Sequence, residues 1–333
     1  MLPPALEQAV YGIHTTYALH MADRHEIFTA LIDGAATAEE VAKSLELDAE
    51  TLQRLLMLLC AAGLVERLPN GAYTVLGDIV PFVDRRSRKY LGGFVTHMVT
   101  SAAGRMPVLG DHLQHGKSAA DPANADPFAR IYADASSTKE FLSAMWALSA
   151  DVSVELVDLA GLTGTRHLVD VGGASGAFAV AALQAVPGLR ATVFDLPQVG
   201  PYLVETAERH GIADRLGFVA GDFLGDGELP AGDCLALGYV LSDWTDETCL
   251  HLLRKVHRAC TPGGRVLILE RLFEDDRTGP LGTAVMHLSM HVETLGGHRT
   301  AAEYLSLLDR AGFTNGRVRR SGQEKHLLIA NKE

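Results

Sequence analysis

The feature that most constrains the fold is an alternation of short apolar runs with helical segments from Arg166 onward. The apolar runs are HLVDV, ATVFDL, LGFVAGD, CLALGYVL and RVLILE, and AFAVAALQAV and CLHLLRKVHRAC are two of the helical segments between them. Strands that alternate with helices favour a mostly parallel sheet covered by helices on both faces. We therefore predict an α/β domain of Rossmann-like type over residues 156–333.

The first hundred residues have a different pattern, which is helical with one hairpin. Thr37 and Glu40 form a capping-box signature at the start of one helix, and Asp48 can cap the next. The segments LVERL and AYTVL flank the turn PNG, which predicts a hairpin. Helix, helix and hairpin in this order predict an α-rich winged-helix domain over residues 1–100.

Winged-helix domains often bind DNA, but the charge of this chain argues against that role. The formal net charge is −12, whereas a duplex-DNA binder needs a basic face. The helix in the recognition position, ETLQRLLMLLCAAG, has one arginine and is apolar nearly all round, which favours burial in a core or against a second chain. We predict a dimerisation domain, a homodimer and no nucleic-acid partner, with residues 101–155 as a helical linker that covers the active site.

Nothing in the sequence indicates a membrane or secreted protein. No segment has about 18 consecutive apolar residues, and the start, MLPPALEQAV, lacks the features of a signal peptide. Without such a span we expect no membrane partner. The cysteines form no C-x-x-C pair, so we expect reduced core thiols and a cytoplasmic location. They are Cys60, Cys234, Cys249 and Cys260.

Three strand ends in the α/β domain carry residues suited to a nucleotide-like cofactor. Asp170 leads into the turn GGASG, and glycines at a strand-to-helix turn let a ligand approach the backbone. Asp195 ends the second strand, where a carboxylate can accept hydrogen bonds from both ribose hydroxyls. Asp222 and Phe223 follow the third strand, where they can flank an adenine. The predicted cofactor-binding residues are Asp170, Gly172, Gly173, Gly176, Asp195, Leu196, Gly221, Asp222, Phe223 and Tyr239.

The chain resembles class I methyltransferases that depend on S-adenosylmethionine (SAM), in particular the caffeic-acid-type O-methyltransferase family and its bacterial natural-product relatives. The matching segments are LVDVGGASG, VFDLP, GDF, LSDWTDE, TPGGRVLILE and GGHRTAAEYLSLLDRAGF. The resemblance implies SAM as cofactor, a small-molecule acceptor, a winged-helix dimerisation domain and a linking helix at Phe141 to Met145 that lies over the cofactor. Ala174 stands where the family usually has glycine, and we expect its added methyl group to cost little.

The chain departs from this family where the acceptor is activated. The family's LHDW motif supplies a histidine that takes the proton from the substrate hydroxyl, and this chain reads LSDW, with Ser242 in place of the histidine. A neutral hydroxyl is too weak a base for that task near neutral pH. The resemblance places Glu270 beside the usual base and leaves its role open. The candidate catalytic residues are Asp243, Glu270, Ser242 and His291.

The segment TAVMHLSMHVETL carries two histidines, His287 and His291, whose i, i+4 spacing puts them on one helix face. In the family this helix lines the acceptor pocket, so we predict that both face Asp243 as a two-His, one-carboxylate site for a divalent or ferric ion, iron or zinc. His298 is a further candidate ligand. The alternative is an ordinary pair, one exposed and one hydrogen-bonded.

Our leading hypothesis is metal-assisted C-methylation of a phenylpyruvate-like α-keto acid in secondary metabolism, because a metal can stabilise the enolate as it forms. This follows from the resemblance to the metal-dependent phenylpyruvate C-methyltransferases. The alternatives are O- or N-methylation of an aromatic metabolite without the usual histidine, a SAM-binding protein with non-methylating chemistry, and a winged-helix regulator. Arg105 and Arg130 are two candidates for holding a substrate carboxylate, and the sequence does not choose between them.

Overall fold

The computed structural model describes residues 2–117 and 127–333, so residues 118–126 of the predicted linker lie outside the described residues. The chain divides into two compact units, Met1–Gly104 and Arg105–Glu333. Across the described ranges, no helix combines the length and the apolar character needed to cross a membrane.

The first unit consists of helices and one antiparallel hairpin. The predicted capping box is present, because Thr37 accepts a hydrogen bond from the N–H of Glu40 and the Glu40 carboxylate accepts one from the N–H of Thr37. The predicted order of helix, helix and hairpin is confirmed by the pairing of the two short strands. The elements are α1 (Pro4–Arg24), α2 (Ile27–Asp33), α3 (Ala38–Leu45), α4 (Ala49–Ala61), β1 (Val65–Arg67), β2 (Tyr73–Val75), α5 (Val80–Val83), α6 (Gly92–His97) and a π-helical turn (Met98–Ala102).

The second unit begins with helices and continues as alternating strands and helices. Helix α7 (Ala103–Arg105) spans the point where the chain passes from the first unit to the second, and the next helices are α8 (Leu109–His115), α9 (Pro127–Ile131) and α10 (Ala135–Ala160). The alternating part is β3 (His167–Val171), α11 (Ala177–Ala185), β4 (Arg190–Asp195), α12 (Gly200–Arg209), β5 (Leu216–Ala220), β6 (Gly232–Gly238), α13 (Asp246–Ala259), β7 (Cys260–Phe273), α14 (Leu281–Glu293), β8 (Arg299–Thr300), α15 (Ala301–Arg310), β9 (Thr314–Arg319) and β10 (Lys325–Asn331).

The central sheet has the strand order β5-β4-β3-β6-β7-β10-β9, with β8 beside β7. Strands β3 to β7 pair in parallel, whereas β10 is antiparallel to both β7 and β9. The chain order reverses between β3 and β6, and the carboxyl ends of strands at such a reversal form the usual ligand crevice of an open α/β sheet. The predicted mostly parallel α/β fold is confirmed, while the two antiparallel strands at residues 314–331 are absent from our prediction.

The core of this unit lies on both faces of the sheet. Along β3, Leu168 packs into the apolar cluster on one face and Val169 and Val171 pack into the cluster on the other. This period of two explains why the strand sequences read as continuous apolar runs, since parallel strands are covered on both sides. Helix α10 covers one face with Val152 and Leu156.

Helix α10 begins at a capped residue, which suggests a test of the second unit's stability. The Asp134 carboxylate accepts a hydrogen bond from the N–H of Ser137 at 2.9 Å. We expect Asp134→Ala to lower the free energy of unfolding by about 1 kcal/mol. Both tryptophans, Trp146 and Trp244, lie in this unit, so urea unfolding followed by tryptophan fluorescence measures it. The exposed Lys139→Ala is the control, and an equal loss in both variants would contradict the capping role.

Candidate active site

A cavity of about 560 Å³ lies at the edge of the sheet where the parallel strands end. Its lining comes from the segments that follow β3, β4, β5 and β6 and from helices α9 and α10. The volume lies within the range of about 300–1,000 Å³ found for small-molecule sites. The position is the crevice that the sheet topology predicts.

Most of the residues predicted to bind the cofactor converge on this cavity. Helix α10 contributes Phe141 and Met145, the two ends of the segment expected to lie over the cofactor. The predicted cofactor residues in the lining are Asp170, Gly172, Gly173, Asp195, Leu196, Asp222, Phe223 and Tyr239.

The glycine turn after β3 is closely packed from behind. Gly172 has a left-handed backbone with φ of 67°, and a Cβ there would lie 2.8 Å from a methyl carbon of Val240. At Gly173 a Cβ would lie 2.7 Å from the carboxylate carbon of Asp170. Both positions therefore require glycine, and the bare backbone faces the cavity.

Two glycines predicted as cofactor residues, Gly176 and Gly221, are not in the cavity lining. A Cβ at Gly176 would lie 2.6 Å from a methyl carbon of Leu203, and one at Gly221 would lie 2.5 Å from the ring of Phe194. These glycines permit close packing behind the wall, and their predicted role in cofactor binding stays a prediction.

Asp195, at the end of β4, presents a buried carboxylate to the cavity. One oxygen accepts the N–H of Ala174 and the other accepts the N–H of Leu196, both at 2.7 Å. Burial raises the pKa of Asp195 to about 6, against the opposing effect of these two hydrogen bonds. Each oxygen retains capacity for a further donor, as two ribose hydroxyls would require.

Sequence reasoning missed the cationic residue of the cavity. Among the described residues in the lining, Lys325 is the one with a cationic side chain. Its Nζ donates to Ser149 Oγ at 3.0 Å and lies 3.7 Å from the centroid of the Tyr239 ring. Burial raises the pKa of the neighbouring Asp170 to about 7, although the charge of Lys325 opposes this shift. The available signal was the apolar strand segment KHLLIAN, which begins with this lysine.

Aromatic rings form one wall of the cavity. Phe128 lies 5.7 Å from Trp244 and 6.3 Å from Tyr132 between ring centroids. Phe141 packs edge-on against Tyr132 at 5.7 Å. Such a wall suits a planar apolar ligand, because ring pairs in offset or edge contact add to the energy of apolar burial.

Three carboxyl groups, those of Asp243, Glu270 and Glu293, lie near one another at the side of the cavity. Asp243 lines the cavity, and its pKa is raised well above the ordinary value by burial and by the nearby charges of Glu270 and Glu293. Glu270 accepts a hydrogen bond from the N–H of Ser242 at 3.1 Å, and Glu293 accepts one from Ser289 Oγ at 2.5 Å. Neither Glu270 nor Glu293 lines the cavity, and nor does Ser242, so Asp243 is the member of the cluster that a ligand can reach.

The predicted metal triad does not assemble. His287 packs against Phe273, with ring centroids 5.2 Å apart, whereas His291 packs against His112 at 5.5 Å. Within residues 2–117 and 127–333, no group of three or more His, Cys, Asp or Glu side chains is arranged to hold a metal ion. The prediction that His287 and His291 join Asp243 is therefore wrong.

The rotation of helix α14 gives the physical reason. Its buried face carries Thr283, Ser289, Val292 and Glu293, while His291 is exposed. A histidine pair spaced i, i+4 shares a face, but here His287 is half-buried at the margin of the buried face, against Phe273 of β7, and His291 lies outside that face. Glu293, on the buried face, is the residue of this helix whose charge acts on Asp243, and it was not among the predicted site residues.

The remaining candidates lie outside the cavity lining. His298 is buried, with Nδ1 3.7 Å from Glu270 Oε2. Burial, with the nearby charge of Arg271, lowers the pKa of His298 to about 3, so its imidazole is neutral. Arg105 donates to the carbonyl oxygen of Val292 at 3.4 Å, and Arg130 is exposed. Neither arginine is placed to hold a ligand in the cavity.

The backbone at Ala174 contradicts the expectation that alanine in place of glycine costs little there. The residue has φ of 46°, in the left-handed region that side chains with a Cβ rarely adopt. Alanine in place of glycine therefore has a free-energy cost here because of the backbone conformation, and not because of the volume of the added methyl group. This cost is of the order of 1 kcal/mol.

Comparison with known proteins identifies related chains. The family model described as the O-methyltransferase domain matches residues 108–314. Acetylserotonin O-methyltransferase from Bos taurus is 40% identical over 211 residues, which are 62% of this chain and 59% of that protein. The chain thus spans less than two thirds of this relative's length.

Two further matches extend over nearly the whole chain. The 3-hydroxy-5-methyl-1-naphthoate 3-O-methyltransferase of Streptomyces sahachiroi is 30% identical over 317 residues, covering 95% of this chain and 91% of that protein. The crystal structure of human N-acetylserotonin methyltransferase in complex with SAM has a TM-score of 0.89 and 28% identity, and the match covers 98% of this chain and 96% of the human one.

Replacement of Asp195 tests the cofactor-binding side of the cavity. We expect Asp195→Asn to raise the Kd for S-adenosylhomocysteine about 10- to 100-fold, because hydrogen bonds to a charged acceptor are lost. In the wild type, affinity should fall as the pH drops through about 6, where Asp195 becomes protonated. Isothermal titration calorimetry between pH 5 and 8 measures both effects. Asp226→Asn, at an exposed loop position, is the matched control, and a pH profile unchanged in Asp195→Asn would refute the assignment.

Replacement of Ala174 tests the backbone cost at the glycine turn. We expect Ala174→Gly to raise the free energy of unfolding by about 1 kcal/mol, because glycine adopts a positive φ without strain. Urea unfolding followed by tryptophan fluorescence measures this change. Ala181→Gly, within helix α11, should have the opposite sign, since glycine weakens a helix interior. A destabilised Ala174→Gly variant would show that the turn is not strained.

Proposed function

The chain belongs to the O-methyltransferase family, and on that premise we propose that it transfers the methyl group of SAM to a hydroxyl oxygen of a small aromatic molecule. The relatives support this reaction class, since one is named for the 3-hydroxyl of a naphthoate and another for acetylserotonin. The human structure in complex with SAM supports the cofactor.

The observation that carries this proposal is the position of Asp243. Its carboxyl group lies in the cavity that also presents Asp195 to a cofactor, next to the aromatic wall of Phe128 and Trp244. A planar acceptor against these rings and a methyl donor held at the strand ends would share one enclosed space. Holding the two reactants in line lowers the barrier to methyl transfer.

Proton removal is assigned to Asp243. The acceptor hydroxyl loses its proton to this carboxylate as its oxygen forms a bond to the methyl carbon, while the bond from that carbon to the sulfonium sulfur breaks and its electrons stay on sulfur. A carboxylate is normally a weak base, but burial and the charges of Glu270 and Glu293 raise the pKa of Asp243. The raised pKa makes the ionised form of this carboxylate a stronger base than an ordinary aspartate.

Two alternatives from the sequence have less support. Metal-assisted C-methylation of an α-keto acid needs a ligand set at the acceptor, and the side chains proposed for it have different neighbours. If the protein bound SAM but did not methylate, the carboxyl group of Asp243 in the cavity would have no acceptor hydroxyl to deprotonate, so its position would have no explanation. Both alternatives predict no methyl transfer to a phenol.

The proposal is tested with methyl-labelled SAM and a panel of phenols and hydroxynaphthoates of graded acidity. We expect label transfer to at least one, with Asp243→Asn lowering kcat about 10²- to 10⁴-fold while the Kd for S-adenosylhomocysteine stays within about twofold. The kcat/KM of the wild type should fall as the pH drops through the raised pKa of Asp243, since the protonated carboxyl cannot accept a proton. Asp275→Asn, at an exposed turn, is the control.

Three outcomes would contradict this proposal. Transfer to keto acids but to no phenol would favour C-methylation, and cofactor binding without transfer to any acceptor would favour non-methylating chemistry. Full kcat in Asp243→Asn would remove this carboxylate from the reaction.

A further inference from the structure

Lys325 is a buried lysine whose position follows from the strand that carries it. It is the first residue of β10, which runs antiparallel to β7 with Lys325 opposite Arg271. The amino end of an antiparallel strand lies at the same sheet edge as the carboxyl ends of its parallel neighbours. The side chain therefore reaches the cavity, although the residue is only 4% exposed.

The contacts of Lys325 leave capacity for a further acceptor. An ammonium group has three N–H donors. Among the described residues, its Nζ has one hydrogen bond, to Ser149 Oγ at 3.0 Å, and one face contact with the ring of Tyr239. Burial with so few acceptors has a large free-energy cost, and it lowers the pKa of Lys325 to about 8.

The charged groups around Lys325 come from β7, which pairs with β10, and from β3, which lies two strands beyond β7. Asp170 on β3 and Glu270 on β7 attract its ammonium, and Arg271 on β7 repels it. Of these three, Asp170 also lines the cavity, whereas Glu270 and Arg271 do not. One anionic and one cationic side chain are therefore presented to a ligand at the same wall.

We propose that Lys325 binds the α-carboxylate of the amino-acid tail of SAM, with Asp170 facing the ammonium group of that tail. The tail carries one negative and one positive charge, which complement this pair. Asp195 and Phe223 are predicted to hold the ribose and the adenine, so the wall with Lys325 and Asp170 is left for the tail. The inference rests on SAM as the cofactor and not on the identity of the acceptor.

The test compares S-adenosylhomocysteine with its analogue in which hydrogen replaces the carboxylate, in calorimetry without any acceptor. We expect removal of the ligand carboxylate to weaken binding to the wild type about 10- to 100-fold. Lys325→Met should weaken binding of S-adenosylhomocysteine by a similar factor and leave the affinity for the analogue unchanged. The exposed Lys139→Met is the matched control, and circular dichroism shows whether each variant is folded.

Several outcomes would overturn the proposal. Equal affinity of the wild type for the two ligands would do so without any variant, even if Lys325→Met failed to fold. An equal loss for both ligands in Lys325→Met would show that the lysine only supports the wall. Tight binding of S-adenosylhomocysteine with no methyl transfer to phenols would leave this inference intact and defeat the proposed function, so the two failures are distinguishable.

Discussion

The concentration of negative charge at one edge of the sheet is the constraint on which the rest of the site depends. Asp170, Asp195, Asp222 and Asp243 all line one cavity, because each lies at or just beyond the carboxyl end of a parallel strand. Buried carboxylates raise one another's pKa and favour a cation in their midst. A sulfonium donor meets that need, and Lys325 meets part of it in the chain itself. A cation bound at this edge of the sheet would therefore offset the charge of the carboxylates in a cavity that also has an aromatic wall.

Much of the fold could be predicted from the sequence, because the pattern that specifies it is local. The run HLVDV matches β3 residue for residue, and the capping box at Thr37 predicts the start of α3. The cofactor turn also followed from local glycines, whose left-handed backbone only a glycine adopts without strain. What escaped prediction were strands β9 and β10, and with them Lys325, since an antiparallel return places a distant residue at the site.

The candidate acceptor side was harder to predict, for a related reason. The spacing of His287 and His291 correctly implies a shared helix face, but spacing does not say which face packs inward. That orientation is set by the contacts of Val292 and Glu293 with the rest of the unit. Loss of the family's histidine at Ser242 was visible at once. The cluster of carboxyl groups around Asp243 becomes visible only when helix α14 and the sheet are brought together.

The place of β10 in the sheet has a consequence for biosynthesis. This strand follows every other strand in the chain, yet it lies in the interior of the sheet between β7 and β9. During synthesis on the ribosome, β3 to β7 emerge first, with an edge of β7 exposed until residue 331 has been added. A nonsense codon after α15 would leave that edge open to pairing with other chains. The nascent chain therefore places Lys325 in the cavity wall and covers the open edge of β7 in the same late step.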